Sequence, residues 1–193
     1  MKPEVWVEGY GCVANQNWTE LIKGKVNAYL SSSKTKARVA IINTCTVKGP
    51  TEQRMYARIQ DLALKCHIEK LIVTGCLPVV RKEKLTQLIK EINEKRKVKK
   101  ARLLHVALIS LDQINNLIKI IKELNKKDLI IKIRAKANLQ CLNKPKLRIN
   151  PVIGIVQIAQ GCLGNCSYCI VKHIKGNLYS YKPELILKQI RQD

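Results

Sequence analysis

"RVAIINTC", residues 38–45, is a short, β-branched apolar run that stops at a cysteine. Such a run reads as a parallel strand buried on both faces. The pattern occurs twice more: "VWVEGYGC" ends at Cys12 and "KLIVTGC" ends at Cys76. The three cysteines stand 33 and 31 residues apart, and one βαβ unit takes roughly 30 residues or more.

The segments between the runs carry helical periodicity. Met55, Ile59, Leu62, Ala63 and Cys66 fall on one face of a helix over 51–66. Residues 16–30 give a weaker stripe of Trp18, Leu21, Ile22 and Val26, and "RKEKLTQLIKEINEKR" places Leu85, Leu88, Ile89 and Ile92 at helical spacing. "ARLLHVAL" fits a fourth strand. "SLDQ", residues 110–113, matches a capping box, with Ser110 as N-cap and Gln113 reaching back. Leu111, Ile114, Leu117, Ile118, Ile121 and Leu124 then form a buried stripe.

Strand and helix alternate over residues 1–124, which predicts an open parallel α/β sheet with flanking helices. In such sheets ligands bind outside the carboxyl ends of the strands, near the topological switch point. Cys12, Cys45 and Cys76 all sit at carboxyl ends, so the topology predicts that they converge. Taken alone, a cysteine at a strand end is also a good small core residue, and the spread set does not separate iron–sulfur from zinc.

Residues 125–150 change character. Lys126, Lys127, Lys132, Arg134, Lys136, Lys144, Lys146 and Arg148 face one acid, Asp128. This is expected to be a basic linker, with a short strand at "LIIKIRA". A new strand is expected over "VIGIVQIA", residues 152–159, running into "AQGCLGNCSYCIV", residues 159–171. A helix entry follows at Ser180, Pro183 and Glu184. Residues 151–193 thus hold a first strand, a cysteine loop and a helix.

The loop puts Cys162, Cys166 and Cys169 in a C-x3-C-x2-C spacing. Thiolates suit soft metals and iron–sulfur clusters. A four-iron cluster usually takes four cysteines, and this loop offers three. A structural zinc site wants four ligands, so zinc on the three cysteines plus His173 is the competing reading.

This stretch resembles the radical S-adenosylmethionine enzymes, with Tyr168 as the aromatic residue before the third cysteine. The resemblance implies that Cys162, Cys166 and Cys169 hold a [4Fe-4S] cluster. Its open iron binds S-adenosylmethionine, which is cleaved to a 5′-deoxyadenosyl radical. Together with Cys12, Cys45 and Cys76, the motifs "NTCTVKGPTEQ", "GCLPVV" and "QGCLGNCSYCIVKHIKGNLYSY" resemble the methylthiotransferases, and within them the archaeal and eukaryotic branch. That likeness implies a second [4Fe-4S] cluster on Cys12, Cys45 and Cys76, two uses of S-adenosylmethionine, an electron donor, and tRNA as substrate. The site would be C2 of N6-threonylcarbamoyladenosine beside the anticodon. No catalytic residue beyond the cluster ligands is implied.

Two departures stand out. Lys175 occupies a place where the family usually has Arg, which keeps the charge and loses the bidentate fork. Residues 170–193 are all that follow Cys169, whereas a (β/α) barrel needs on the order of 200 residues. An incomplete barrel is therefore expected, with its strand at 152 an unpaired apolar edge. Three readings follow: a fragment inactive alone, half of a split enzyme whose partner chain supplies the barrel, or a non-catalytic cluster- or RNA-binding remnant. A methylthiotransferase with another substrate is a further alternative.

The remaining residues carry smaller expectations. Cys66 packs on an apolar face, and Cys141 is an incidental thiol of the linker. His67 and His105 are structural, and Trp6 and Trp18 pack in the sheet domain. Asn43 and Thr44 either hydrogen-bond cluster sulfurs or shape a turn. The chain carries 36 Lys+Arg against 14 Asp+Glu, a formal +22, which favours a polyanionic partner through counterion release. The first residues lack an apolar signal region, and no apolar run is long enough for a bilayer. No membrane association is expected, and the cytoplasm is the expected location. Reducing conditions there favour metal chemistry over disulfides for clustered thiols.

Overall fold

The apolar runs do form strands, and the strands form one sheet. A computed structural model describes residues 4–47, 49–134 and 140–193. Strands β1 (Val5–Gly9), β2 (Val39–Thr44), β3 (Lys70–Gly75), β4 (His105–Ile109) and β5 (Leu129–Lys132) lie side by side in that order, all parallel. Every residue of β2 is buried, as is all of β3 except Lys70. The fifth strand comes from the stretch read as linker. Lys136 and the last residue of "LIIKIRA" lie outside the described residues, as does Lys48.

Helices cover both faces because alternate strand residues point to opposite sides. Val39, Ile41, Ile72 and Ala107 pack against Trp18 and Ile22 of α1 (Val13–Lys25) and against Leu117 and Ile120 of α5 (Leu117–Glu123). Ala40, Ile42, Leu71 and Val73 pack against Ile59 and Leu62 of α2 (Gly49–Lys65) and against Leu85 and Ile89 of α4 (Lys82–Val98). The short α3 (Leu77–Val80) joins β3 to α4.

One small contact sets the topology. After α1 the chain makes a parallel bridge from Leu30 to Val5, and the Ser31 N–H donates to the Val5 carbonyl at 2.9 Å. Val5 is also in register with Val39 of β2, so Leu30 occupies the other edge of β1. The winding therefore reverses between β1 and β2, and the crevice at their carboxyl ends is the switch point.

Three expectations need correction. The capping box does not form: residues 111–116 are a 3-10 turn and Ser110 makes no side-chain cap. Its hydroxyl instead accepts the Arg134 N–H at 2.9 Å and donates to Asp112, which ties the end of β4 to the chain leaving β5. The strand expected over 152–159 is reduced to β6 (Ala159–Gln160), paired antiparallel with β7 (Tyr179–Ser180). A parallel strand needs a neighbour for its ladder, and among the described residues no parallel strand lies beside it. Val152, Ile153 and Ile158 are consequently exposed, while Ile155 is buried.

The third correction is Cys141. It is 2% exposed and sits in the core of the α1–α5 face, its thiol 3.2 Å from the Tyr181 hydroxyl. The neighbouring chain is pinned rather than loose. Lys146 pairs with Asp193 at 2.5 Å, with both side chains largely shielded from solvent, and Leu147 N–H donates to the Glu20 carbonyl at 3.0 Å. The helix expected after Tyr181 is α7 (Pro183–Gln192), whose Gln189 accepts the Asn143 N–H at 2.6 Å. Among the described residues no helix is long and apolar enough to cross a membrane.

Candidate metal centre at the carboxyl edge

Each of the first three strands is followed by a cysteine, and the exits of β1 and β3 pass through Gly11 and Gly75. Cys12 is exposed at the start of α1, Cys45 follows β2, and Cys76 follows β3. Cys45 and Cys76 are 7% and 4% exposed. All three line one cavity of about 640 Å³. The sequence expectation that they converge is met by the geometry.

Two glycines permit the approach. Gly11 has φ of +108°, and a Cβ there would lie 2.7 Å from Cβ and 2.9 Å from Sγ of Cys45. Gly75 has φ of +90°, and a Cβ there would lie 2.3 Å from the Thr44 carbonyl oxygen. Only glycine adopts these angles without strain. Removing the side chain lets the turns of Cys12 and Cys76 press against the turn of Cys45.

Polar groups beneath the cysteines lock the three turns. Thr44 Oγ1 donates to the Thr74 carbonyl at 2.6 Å and accepts the Leu77 N–H at 3.3 Å, while Cys76 N–H donates to the Thr44 carbonyl at 3.0 Å. Asn43 Nδ2 donates to the Asn15 carbonyl at 2.8 Å, and Asn15 Nδ2 donates to the Thr44 carbonyl at 3.1 Å. Asn43 and Thr44 therefore shape the turns through backbone partners.

The sequence reading missed a second support. Glu52 of α2 accepts Thr46 Oγ1 at 2.6 Å, the Tyr56 hydroxyl at 3.1 Å and Arg81 Nε at 3.0 Å. It clamps the residue after Cys45 to the end of α3, which begins after Cys76. Burial alone would push the Glu52 carboxyl up, but the hydrogen bonds from Thr46, Arg81 and Tyr56 outweigh it and hold the pKa below its ordinary value. Glu52 lies within the "NTCTVKGPTEQ" motif, six residues after Thr46, which was the available signal.

The second set lies on a different kind of element. Cys162 and Cys169 are half-buried and Cys166 is exposed. The loop is held by local bonds: Cys162 N–H to the Gly176 carbonyl at 3.2 Å, Gly164 N–H to Cys162 Sγ at 3.3 Å, and Cys169 N–H to the Cys166 carbonyl at 3.0 Å. Cys169 leads into α6 (Ile170–Lys175), and Val171, Ile174 and Lys175 of that helix line the first cavity. One short helix thus joins the two thiol sets. His173 is exposed on it.

The first cavity presents three thiols and no carboxylate among its described lining residues. Burial pushes the Cys76 thiol up; Lys175 pulls it down, and Cys45 and Cys12 add to the upward push. Among the described residues no three His, Cys, Asp or Glu side chains are gathered tightly enough for a single metal ion. A cluster is larger than an ion and takes its thiolates farther apart, and a donor set of thiols alone suits it. A separate groove of about 840 Å³, between α1 and the 3-10 turn after β4, has no cysteine in its described lining.

Fold and site together define an α/β protein that presents two sets of three thiols, one at the switch point and one on an adjoining loop. Residues 4–95 match the family described as "Uncharacterized protein family UPF0004". It is also similar over nearly its whole length to larger enzymes. It is 35% identical over its full length to the "Probable threonylcarbamoyladenosine tRNA methylthiotransferase" of Methanocaldococcus jannaschii, covering 41% of that protein. It is 29% identical over 98% of its length to the "Threonylcarbamoyladenosine tRNA methylthiotransferase" of Drosophila melanogaster, covering 33% of it. With the enzyme of that name from Homo sapiens it shares 26% identity over 98% of its length, covering 31% of it. The chain spans about a third to two fifths of the length of these curated relatives.

Proposed function

We propose that this chain carries the two cluster-binding sites of a tRNA methylthiotransferase acting on threonylcarbamoyladenosine. The observation that carries this reading is the shared cavity of Cys12, Cys45 and Cys76, three residues far apart in sequence, with the C-x3-C-x2-C loop fastened beside it by α6. Each set would hold a [4Fe-4S] cluster through three thiolates. Cys162, Cys166 and Cys169 would form the S-adenosylmethionine-binding site, and Cys12, Cys45 and Cys76 the sulfur-transfer site. When bound, these groups supply radical chemistry and sulfur for methylthiolation at C2 of the adenine.

The chain's own residues hold and shield. Gly11 and Gly75 allow the three turns to meet, Asn43, Thr44 and Glu52 fix them, and α6 covers the cavity from the other side. Arg and Lys side chains bring tRNA by its phosphates, and an electron donor and S-adenosylmethionine are the other partners. The expected setting is the cytoplasm. The 193-residue polypeptide is expected to need further barrel elements, from the same gene product or a separate chain, before it turns over.

Anaerobic reconstitution with iron and sulfide tests the reading. About eight irons per chain, four per cluster, is the expected result; bound zinc with no iron overturns it. Isolated polypeptide incubated with tRNA, reductant and S-adenosylmethionine is expected to give no methylthio-nucleoside. Binding to tRNA should weaken steeply with salt, since each neutralised phosphate contributes to the slope; a flat response would remove the electrostatic argument.

A further inference from the structure

Among the described residues that line the thiol cavity, Lys175 is the one charged side chain. It reaches the cavity from α6, the helix that begins directly after Cys169, so it comes from the segment of one thiol set and faces the other. No Asp or Glu shares the described lining, and no ion pair to Lys175 is found among the described residues. The rest of the wall includes Val171 and Ile174, the hydroxyl of Thr51 and the amides Asn15, Gln157 and Gln160, none of them charged. An ammonium-bearing side chain that lines a cavity with three thiols and no carboxylate places an unbalanced positive charge there.

We propose that Lys175 is the positioning residue of this cavity, supplying the positive charge that stabilises the anionic group held by Cys12, Cys45 and Cys76 and drawing small anions to it. The inference rests on the cluster-binding reading above for the identity of that group, while the presence of the charge at the thiols is independent of it. A unit charge near a metal–sulfur centre favours its reduced, more negative form and so raises its potential. The same charge favours approach of an anionic reagent over a neutral one of the same shape.

Two measurements on the full chain separate these points. In the metal-free protein, the rate of alkylation by iodoacetate is divided by that for iodoacetamide, read peptide by peptide with mass spectrometry. The ratio cancels the thiolate fraction common to both reagents. For Cys45 and Cys76 it should fall about fivefold in Lys175→Gln and stay near the starting value in Lys175→Arg, with Cys66 unchanged in both. An unaltered ratio, or an equal fall at Cys66, overturns the proposal. In a Cys162→Ala, Cys166→Ala, Cys169→Ala background that leaves only the first site, the reconstituted centre should show a more negative midpoint potential with Lys175→Gln than with Lys175 or Lys175→Arg. An unchanged potential also overturns it. If the parent chain takes up no iron, the cluster reading fails, and the alkylation ratio still decides the role of Lys175. Circular dichroism on each variant confirms that the comparison is between folded proteins.

Discussion

The two thiol sets use opposite building methods. Cys162, Cys166 and Cys169 lie within eight residues on a loop held by its own backbone, and their surroundings are largely open. Cys12, Cys45 and Cys76 come from three strand ends, two of them buried, and they meet only because a parallel sheet brings those ends together. The first method asks little of the tertiary structure. The second makes the site as dependent on the sheet as any core residue, so damage to the sheet and damage to the site cannot be separated there.

The strongest way to sharpen this contrast is to remove one set at a time. Replacing Cys12, Cys45 and Cys76 by Ala should cut reconstituted iron from about eight to about four per chain, and replacing the loop cysteines should do the same from the other side. Iron assays with the characteristic visible absorbance read both. Complete loss of iron from either triple variant would show that the sets do not assemble independently.

Glycine substitutions come next in size. Gly11→Ala must adopt a strained positive φ and set its Cβ against Cys45, which should cost about 1–3 kcal/mol from the backbone alone and halve the iron content. Gly164→Ala on the loop meets only ordinary contacts, 3.6 Å from Cys162 Sγ and 3.7 Å from Cys166 Sγ, and should leave stability within about 0.5 kcal/mol. Equal effects of the two changes, measured by chemical denaturation, would erase the distinction drawn between the sites.

Glu52→Gln should cost about 1–3 kcal/mol, since Arg81 and Thr46 lose a charged acceptor. The folded carboxyl has a pKa below its ordinary value near 4.5. Its contribution is therefore fully present above that value and is lost as pH falls through the folded pKa. Between pH 7 and pH 3 the parent should lose more stability than Glu52→Gln; parallel curves would assign the clamp no role. The smallest effect is expected at Tyr181→Phe, about 0.5–1.5 kcal/mol for its bond with Cys141, with iron content unchanged.

Much of this molecule was legible in its residues. The β-branched runs at 39–44 and 70–75 became strands because β-branched side chains pack well on a surface buried on both sides. The stripes at Ile59 and Leu62, and at Leu85 and Ile89, became helix faces for the same reason of burial. Where the reading failed, a distant partner had taken over. Ser110 could have capped a helix, but Arg134 claimed its hydroxyl. Residues 152–158 are apolar enough for a strand, but a strand exists only with a neighbour to share its ladder. Cys141 reads as incidental because nothing in its local sequence shows that Tyr181, forty residues on, comes against it.

By itself the sequence determined which cysteines form a tight C-x3-C-x2-C set and which stand at strand ends, the parallel class of the sheet, and the edge on which three of those cysteines would appear. The tertiary structure alone decided that the Leu30–Val5 bridge puts the switch point beside Cys12 and Cys45, that Glu52 clamps the turns of Cys45 and Cys76, and that Lys175 lines the cavity of the three thiols. Local periodicity and propensity are short-range properties that any stretch of chain carries with it. Whether one lysine and three cysteines line the same cavity depends on how whole elements pack, and no local pattern encodes that.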